Sequence, residues 1–284
     1  MAVAASLPDD TRGIVDPAVM GRYATLRRYP AGEQLSGIVD WFWSVTWHLP
    51  DGVSHDQQVL NHPSGHISIG TSDDAGATCD RPAARTYGLI SRLSRRHLVG
   101  DGWTVAAKTT TGGLGALLRG PARAATDRAL SLDDALGVDG DALLARVVAA
   151  DGVEAQVDLL REALVEVAAA QDPERLARAR EVARVAAIAE TDRTVTRVGQ
   201  LAAAAGMSVR SLQRLFDEYV GASPAWVIRR WRIIEAAESA KRDPATADWA
   251  ELAQILGYSD QAHLVRDFRC HLGTTPVAYL QRQQ

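Results

Sequence analysis

The chain has 284 residues, of which 46% are hydrophobic and 23% charged, and its formal net charge is −4 at pH 7. This composition is typical of a globular protein, and the length is enough for two domains that each bury a core. No apolar run approaches the roughly 18 residues of a transmembrane helix. The small negative charge argues against indiscriminate binding to nucleic acid.

The N-terminal segment and the cysteines favour a cytoplasmic protein. Residues 1–17 lack the basic stretch of a signal peptide and carry three aspartates, so residues 1–19 are expected to form a flexible tail. The two cysteines, Cys79 and Cys270, fall in different predicted domains. This separation argues against a disulfide framework or a thiolate metal site, and no cofactor is predicted.

Residues 20–125 are predicted to form a β-rich domain. The segment Val39–His48 alternates strictly, which places Trp41, Trp43 and Trp47 on one face of a strand. Further short strands are predicted at Gln57–Leu60, His66–Gly70, Ala84–Ile90 and Thr104–Thr110. Short strands at this spacing, separated by Gly, Pro and Asp, favour a sandwich or a barrel.

Helical periodicity follows Gly112-Gly113 and continues to about residue 190. The predicted helices are Leu114–Leu118, Leu132–Leu136, Asp141–Ala150, Val153–Gln171 and Pro173–Glu190. Asp172 is expected to cap the last of them, with Pro173 at its first position. Residues 126–190 therefore form a helical linker block, which either provides a dimer interface or packs on the β-rich domain.

The last third of the chain contains an internal repeat. Leu201-Ala202 recurs 51 residues later as Leu252-Ala253, and a Gly-x-Ser turn at residues 206–208 recurs at 257–259. Beyond that turn the offset is 52 residues, and Gly-Ala-Ser-Pro at 221–224 recurs as Gly-Thr-Thr-Pro at 273–276. A helix, a glycine turn and a second amphipathic helix form a helix-turn-helix. Residues 191–284 are therefore predicted to contain two of them.

A helix from Pro224 to about Arg242 is predicted to join the two units. At 1.5 Å per residue it spans about 28 Å, which is close to the roughly 34 Å of one DNA turn. Two recognition helices at this separation can enter successive major-groove segments on one side of a duplex. The repeat thus predicts sequence-specific DNA binding.

The first recognition helix is expected to begin after Ser208 as its N-cap. Arg210, Gln213 and Arg214 stand at positions i, i+3 and i+4, so they share one exposed face. Arginine pairs well with guanine and glutamine with adenine. From residue 184 onward the chain has 13 basic and 11 acidic residues, so DNA contact must depend on these placed side chains.

The second recognition helix, capped by Asp260, is poorer in hydrogen-bonding side chains. The residues left toward the groove are Gln261, Ala262, His263, Val265 and Arg266. Two apolar residues, Ala262 and Val265, stand where the first unit has an arginine and a glutamine. We therefore predict that the first unit discriminates bases more strongly than the second.

These motifs resemble the DNA-binding domain of AraC/XylS-type transcriptional regulators over about 90 residues. The resemblance implies a bipartite domain of seven helices and a separate domain for effector binding or dimerisation. It implies base contacts from Arg210, Gln213, Arg214, Gln261, His263 and Arg266. The sequence departs from the family at Val265, often polar elsewhere, and at Cys270-His271-Leu272, where the family is often more basic and aromatic.

The N-terminal half resembles the β-rich, cupin-like sensor region of a subset of these regulators. The resemblance rests on Arg28-Tyr29-Pro30, on residues 39–45 and on His62-Pro63-Ser64. Where that subset has Phe-Arg-Pro-Gly-Gly, this chain has Thr109-Thr110-Thr111-Gly112-Gly113. The role of the missing arginine and proline therefore cannot be carried over.

The chemistry of the sensor region has two readings. His55, His62 and His66 lie within 12 residues and imidazoles suit several metals, but Pro63-Ser64-Gly65 interrupts them and no acidic ligand is near, so no metal is predicted. The tryptophan stripe either lines a ligand pocket or forms core, and core is the commoner outcome. Trp43, His62 and His66 are the candidate ligand-binding residues.

Together these features predict an α+β protein of two domains, with a β-rich cupin-like domain, a helical block and an all-α double helix-turn-helix domain. The expected partners are double-stranded DNA, RNA polymerase, a small-molecule effector and a second copy of the chain. No nucleophile elbow, phosphate loop or zinc-finger cysteine pair supports an enzyme. Two alternatives stay open: a cupin metalloenzyme fused to a DNA-binding module, and a DNA-binding dimer that needs no ligand.

Overall fold

Antiparallel strands dominate the first part of the chain, and helices dominate the rest. A computed structural model describes residues 12–72, 78–242 and 248–281. The strands are β1 (Ala24–Pro30), β2 (Val39–His48), β3 (Ser54–Leu60), β4 (His66–Ser72), β5 (Thr78–Tyr87), β6 (Leu93–Val99), β7 (Asp101–Thr109) and β8 (Ala129–Leu130). The helices are α1 (Pro17–Tyr23), α2 (Gly113–Leu117), α3 (Leu132–Leu136), α4 (Gly140–Val148), α5 (Val153–Ala169), α6 (Pro173–Thr191), α7 (Val198–Ala204), α8 (Val209–Tyr219), α9 (Pro224–Arg242), α10 (Trp249–Ile255), α11 (Gln261–Leu272) and α12 (Pro276–Gln281).

Six strands form one antiparallel sheet in the order β1-β2-β7-β4-β5-β8, and β3 and β6 form a separate antiparallel ribbon. The predicted strand Val39–His48 is confirmed with the same bounds. Three strands, β1, β6 and the two-residue β8, were not predicted. Arg95, Arg96 and His97 hide the alternation of β6, because polar side chains occupy both of its faces.

The large sheet has two unlike faces, because side chains alternate along each strand. Phe42, Ile67 and Val105 are almost fully buried on the face that packs under α5. On the opposite face, Trp41 and Trp43 are only half-buried and line a cavity between the large sheet and the ribbon. The tryptophan face is therefore a cavity wall, and the expectation that it forms simple core is wrong for these two residues.

The N-terminal segment packs against the ribbon where the structure describes it. Residues 1–11 of the predicted tail lie outside the described residues. Ile14 bridges to Val59, the backbone N–H of Val15 donates to the Gln58 carbonyl at 3.1 Å, and both apolar side chains are buried. Residues 12–19 thus depart from the expected flexible tail, because burying Ile14 and Val15 offsets the entropy cost of ordering them.

The helical block packs on its own chain. Helix α5 lies across β2 and β7, while α6 contacts α2, α7, α8 and α9. Arg175 of α6 donates to the backbone carbonyls of Gly115, Ala116 and Leu118, at 2.7, 3.1 and 2.7 Å. These bonds satisfy carbonyls at the end of α2, so α6 is fixed between the β-rich region and the last helices. Asp172 caps α6 as predicted.

The buried face of the large sheet provides the stability of the β-rich region. Replacing Phe42 by alanine should lower the free energy of unfolding by about 3–5 kcal/mol, because a buried aromatic ring leaves a cavity. Thr46→Ala, on the same strand but exposed, should change it by less than about 0.5 kcal/mol. Urea denaturation followed by circular dichroism measures both, and equal effects would contradict the assignment of faces.

Candidate nucleic-acid interface and sensor cavity

The first helix-turn-helix is formed by α7 and α8. Gly206 ends α7 with a φ of +66°, a left-handed conformation that favours glycine, and the Met207 N–H donates to the Ala202 carbonyl at 2.9 Å. Ser208 caps α8 by accepting from the Ser211 N–H at 3.1 Å. Leu212 is fully buried and anchors α8 on the rest of the unit. The predicted cap and turn are confirmed.

The base-reading face of α8 is exposed. Arg210, Gln213 and Arg214 all lie in solvent, on the side of the helix away from the buried Leu212 and Phe216. Arg214 also borders a cleft of about 800 Å³ between α8 and α6, whereas Arg210 and Gln213 do not. The three polar side chains predicted from the sequence are therefore accessible to a duplex.

The second unit, α10 and α11, has the same construction. Gly257 has a φ of +75°, and Asp260 caps α11 by accepting from the His263 N–H at 2.7 Å. Gln261 and Arg266 are exposed, but Val265 is half-buried, so it faces the groove less fully than expected. The fold of the second unit matches that of the first, and its reading face is less polar.

Two histidines of the second unit are engaged within the protein. His263 is half-buried, its Nδ1 lies 3.2 Å from the Ser259 hydroxyl, and its ring packs edge-on against Tyr258. His271 is buried and lies edge-on to Trp226 of α9, with ring centroids 6.3 Å apart. The departure from the family pattern at residues 270–272 thus supports packing against α9.

Helix α9 connects both units to the β-rich region. The Arg230 guanidinium donates to the Ser91 carbonyl and lies 4.6 Å from the centre of the Trp226 ring. Burial lowers the pKa of Arg230 to about 10, so it stays charged at neutral pH. Further along α9, the Glu238 carboxylate accepts from the Gly13 N–H at 3.2 Å. The contacts made by Arg230 and Glu238 therefore fix α9 to the N-terminal half of the chain.

The cavity between the sheet and the ribbon has a volume of about 200 Å³. The structure places all three predicted ligand residues, Trp43, His62 and His66, on its wall. Reasoning from sequence missed four basic residues of the same wall. They are Arg12, Arg28, Arg96 and Lys108. Lys108 is the one charged residue of the predicted strand Thr104–Thr110, which was the local signal that a buried charge was present.

The two cavity histidines are neutral in the folded protein. Burial, followed by the positive charge of Lys108, lowers the pKa of His66 to about 3. The same two causes hold the pKa of His62 well below its ordinary value. Burial also lowers the pKa of Lys108, but the Asp40 carboxylate opposes this shift and accepts a hydrogen bond from the ammonium. The wall therefore combines neutral imidazoles with a paired ammonium.

The histidines do not converge on a common point. His55 lies on β3 with its Nε2 3.1 Å from the Gln57 side-chain oxygen, and its ring neighbours Tyr23. Within residues 12–72, 78–242 and 248–281, no three His, Cys, Asp or Glu side chains are placed to hold a metal ion. Over the same ranges, none of the helices has the length and apolar character needed to cross a bilayer.

Comparison with known proteins assigns both parts of the chain to families. Residues 201–282 match a family described as a helix-turn-helix domain, and residues 27–131 match a domain of unknown function (DUF6597). The C-terminal part is thus a helix-turn-helix DNA-binding domain by family as well as by geometry. These matches support the resemblance of the chain to AraC/XylS-type transcriptional regulators.

Two similar proteins carry names of transcription factors. The chain is 31% identical to the transcriptional activator NphR of Rhodococcus sp. over 146 residues, which is 50% of this chain and 42% of that protein. It is 32% identical to the probable transcription factor PqrA of Proteus vulgaris over 84 residues, which is 29% of this chain and 66% of that protein. The chain thus spans less than two thirds of either relative.

A solved structure of a probable AraC family transcriptional regulator from Rhodopseudomonas palustris is 26% identical to this chain. The alignment covers 37% of this chain and 97% of that one, with a TM-score of 0.33.

The neutral histidines make the folded protein sensitive to acid. In the unfolded chain a histidine has a pKa of about 6.5, so the unfolded state takes up more protons as the pH falls below that value. Because the pKa of His66 is lowered to about 3 in the folded protein, its neutral ring adds to the free energy of unfolding above about pH 6.5. This contribution is lost as the pH falls toward 3.

Between about pH 7 and 5.5, the wild type should lose about 1 kcal/mol more unfolding free energy than His66→Gln, which lacks this titration. Urea denaturation at the two pH values measures the difference. Thr46→Ala, an exposed substitution on β2 that removes no ionisable group, is the control and should keep the wild-type loss. An identical loss in all three proteins would contradict the neutral state of His66.

Proposed function

We propose that the protein is a sequence-specific regulator of transcription that reads two successive major-groove segments of its target. The observation that supports this most directly is the pair of capped recognition helices, α8 and α11, on one chain. Each is anchored by fully buried side chains, while arginines stand exposed on the outer face. Exposed arginines on rigid helices are suited to bidentate contacts with guanine.

We propose Arg210, Gln213, Arg214, Gln261 and Arg266 as base-contacting residues, with His263 and the Ser208 N-cap beside the phosphate backbone. Ser208 lies at the N-terminus of α8, where backbone N–H groups attract phosphate. His263 keeps Nε2 for a contact, since its Nδ1 lies against Ser259. This division assigns sequence reading to the exposed arginines and glutamines, and positioning to the helix ends.

The domain organisation is proposed as a cupin-like sensor at residues 20–125 followed by helices that lead into the DNA-binding domain. Counting α6, the chain has seven helices from Pro173 onward in its described part, which is the number implied by the family resemblance. Because α6 packs on α7, α8 and α9, we place the start of the DNA-binding domain at α6 instead of at residue 191.

We further propose that the sensor region controls DNA binding through a small-molecule effector. The support is that α9 contacts the sensor region through Arg230 and the segment before it through Glu238, and that a cavity lies beside the helix. RNA polymerase and a second copy of the chain are the other proposed partners. A regulator that needs no ligand is the alternative, and it would show the same DNA affinity with every compound offered to the cavity.

The arginines of α8 should determine affinity for the target. Arg210→Ala and Arg214→Ala should each cost about 1–3 kcal/mol of specific binding and relax the preference at particular base pairs. Arg146→Ala removes the same charge from the surface of α4 and is the matched control. Fluorescence anisotropy with target and scrambled duplexes measures both effects. Unchanged affinity and selectivity in Arg210→Ala would remove that residue from the interface.

The half of the target under α8 should be read more strictly than the half under α11. Each base substitution in a strictly read position typically costs about 1–3 kcal/mol. We expect such costs mainly in the first half, because Ala262 and half-buried Val265 offer no hydrogen bond in the second. A complete set of single-base variants of the site tests this, and equal costs in both halves would contradict it.

The proposed function as a whole is tested by selecting genomic fragments on the purified protein at about 0.15 M salt, a physiological ionic strength. A shared motif with two elements about one helical turn apart is the expected result. If no motif is retained, either with the protein alone or with effector candidates present, sequence-specific reading by the two units is refuted.

A further inference from the structure

The first reading unit packs directly on the sensor region at the C-terminal end of α8. A Cβ on Gly115 of α2 would overlap the backbone of Tyr219, so glycine allows the two helices to touch. The Thr126 hydroxyl donates to the Gly221 carbonyl, just beyond α8, at 2.8 Å. The α2–β8 connection (residues 118–128) therefore lies against the recognition helix, although it belongs to the part of the chain that matches DUF6597.

The α2–β8 connection and α8 enclose a cleft of about 380 Å³. Its wall combines residues of the connection, of α6 and of α8: Arg119, Gly120, Pro121, Arg123, Arg175, Arg214, Asp217 and Glu218. Arginines thus outnumber carboxylates on this wall by four to two. Because Arg214 is one of the proposed base-reading residues, the cleft opens beside the surface that is proposed to face a duplex.

Arg119 is a cation that the fold holds in place. Its backbone N–H donates to the Ala135 carbonyl at 2.8 Å. Its guanidinium lies over Gly137, which ends α3 with a φ of +77°, and a Cβ at that position would overlap it. The Arg119 side chain is nevertheless exposed, and among the described residues no carboxylate forms an ion pair with it. An exposed guanidinium in a fixed position is suited to bidentate contact with a phosphate.

Arg123 neutralises a carboxylate at the end of the proposed reading face. Asp217 follows Arg210 by seven residues and Arg214 by three, so it lies at the C-terminal end of the same face. A free carboxylate there would repel the phosphates of a bound duplex, but the Arg123 guanidinium donates to it. The two side chains are 61% and 53% exposed, and ion pairs this exposed add little to stability. The main effect of the pair is therefore on the charge that α8 presents.

Most carboxylates around the cleft already have partners. Glu174 and Glu181 of α6, which border the neighbouring cleft of about 800 Å³, pair with Arg178 at 3.8 and 3.1 Å. Among the described residues, Glu218 is the one lining carboxylate without an ion pair, and the lining arginines without an acidic partner outnumber it. This surplus of positive charge favours an anionic partner.

We propose that the α2–β8 connection is part of the DNA interface. Arg119 contacts a backbone phosphate beside the groove that α8 reads, and Arg123 screens the Asp217 carboxylate from the same strand. The partner is DNA and not an acidic protein surface, because Arg214 borders the same cleft and brings the backbone of a bound duplex toward it. This inference rests on the proposed function, and it adds a contact from the sensor region to those of the two reading units.

The variant Arg119→Gln tests the phosphate contact in the full chain. Deleting one phosphate contact should make the slope of log K against log salt shallower by about 0.9, which corresponds to about fivefold weaker binding at about 0.15 M salt. Because a phosphate contact carries no sequence information, target and scrambled duplexes should lose affinity by the same factor. Fluorescence anisotropy between about 0.1 and 0.3 M salt measures both quantities.

Arg128→Gln is the matched control, because Arg128 is exposed and lies in the same connection but does not line the cleft. It should keep the wild-type slope and an affinity within about twofold of the wild type. Both variants should keep the wild-type melting temperature, which shows that they fold. An equal loss of affinity in both would mean that net charge, and not the cleft, determines the effect, and would overturn the contact.

The variant Arg123→Gln should also weaken binding of both duplexes about fivefold, because it leaves the Asp217 charge uncompensated. Adding Asp217→Asn should restore binding to within about twofold of the wild type. A merely structural role of the ion pair would not give this recovery, since the double variant still lacks the pair. If the double variant binds as weakly as Arg123→Gln, neutralisation of Asp217 is refuted.

Failure of this inference can be distinguished from failure of the proposed function. The scrambled duplex reports the phosphate contact even if the wild type shows no preference for its target, a result that refutes sequence-specific reading alone. If the target is preferred but Arg119→Gln leaves affinity and slope unchanged on both duplexes, the contact is overturned, the function survives, and an acidic protein surface becomes the partner of these arginines. A wild type that binds neither duplex overturns both.

Discussion

The arrangement of the whole protein depends on α9, a helix of 19 residues that is enclosed by other elements over most of its length. Apolar residues occur on all of its sides, so it has no broad face to offer to solvent. Two arginines, Arg230 and Arg232, are buried with it, and each donates to backbone carbonyls outside the helix. A helix buried in this way cannot move without disturbing what surrounds it, because interiors are closely packed. Both reading units and the sensor cavity therefore share one rigid connection.

The second constraint is the cost of placing charge in the sensor region. Lys108 is buried, and its charge is kept by the Asp40 carboxylate and by the face of Trp41. The neighbouring imidazoles lose their protons because they cannot be charged beside it at low solvent exposure. Buried ammonium and guanidinium groups are costly in a core that only packs, and this supports the proposed effector-binding role of the wall. The position of His62 against Trp231 brings that wall into contact with the helix that sets the geometry of DNA reading.

Local sequence patterns were sufficient to predict the turns, caps and elements that depend on neighbouring residues. The glycine turns, the caps at Ser208 and Asp260 and the bounds of β2, α3 and α9 follow from spacing alone, and the structure agrees with them. The sequence failed where the outcome depends on distant partners. The buried face of β2 is chosen by α5, which lies more than a hundred residues further on, so alternation revealed two faces but not which one is core. Arg28, Arg96 and Lys108 come from three strands that only the sheet and ribbon bring together, and no local pattern joins them. The recognition residues, by contrast, lie within single helices and could be named in advance, although their contacts with DNA stay a prediction.

We infer that one chain places two recognition helices on the same side of a duplex. Hydroxyl-radical footprinting of the full chain on a selected target is the decisive measurement. We expect two protected segments about one helical turn, or roughly 10 base pairs, apart on one face of the DNA, and the segment under α8 should lose its protection in Arg210→Ala. Protection of a single segment, or of two segments on opposite faces, would contradict it.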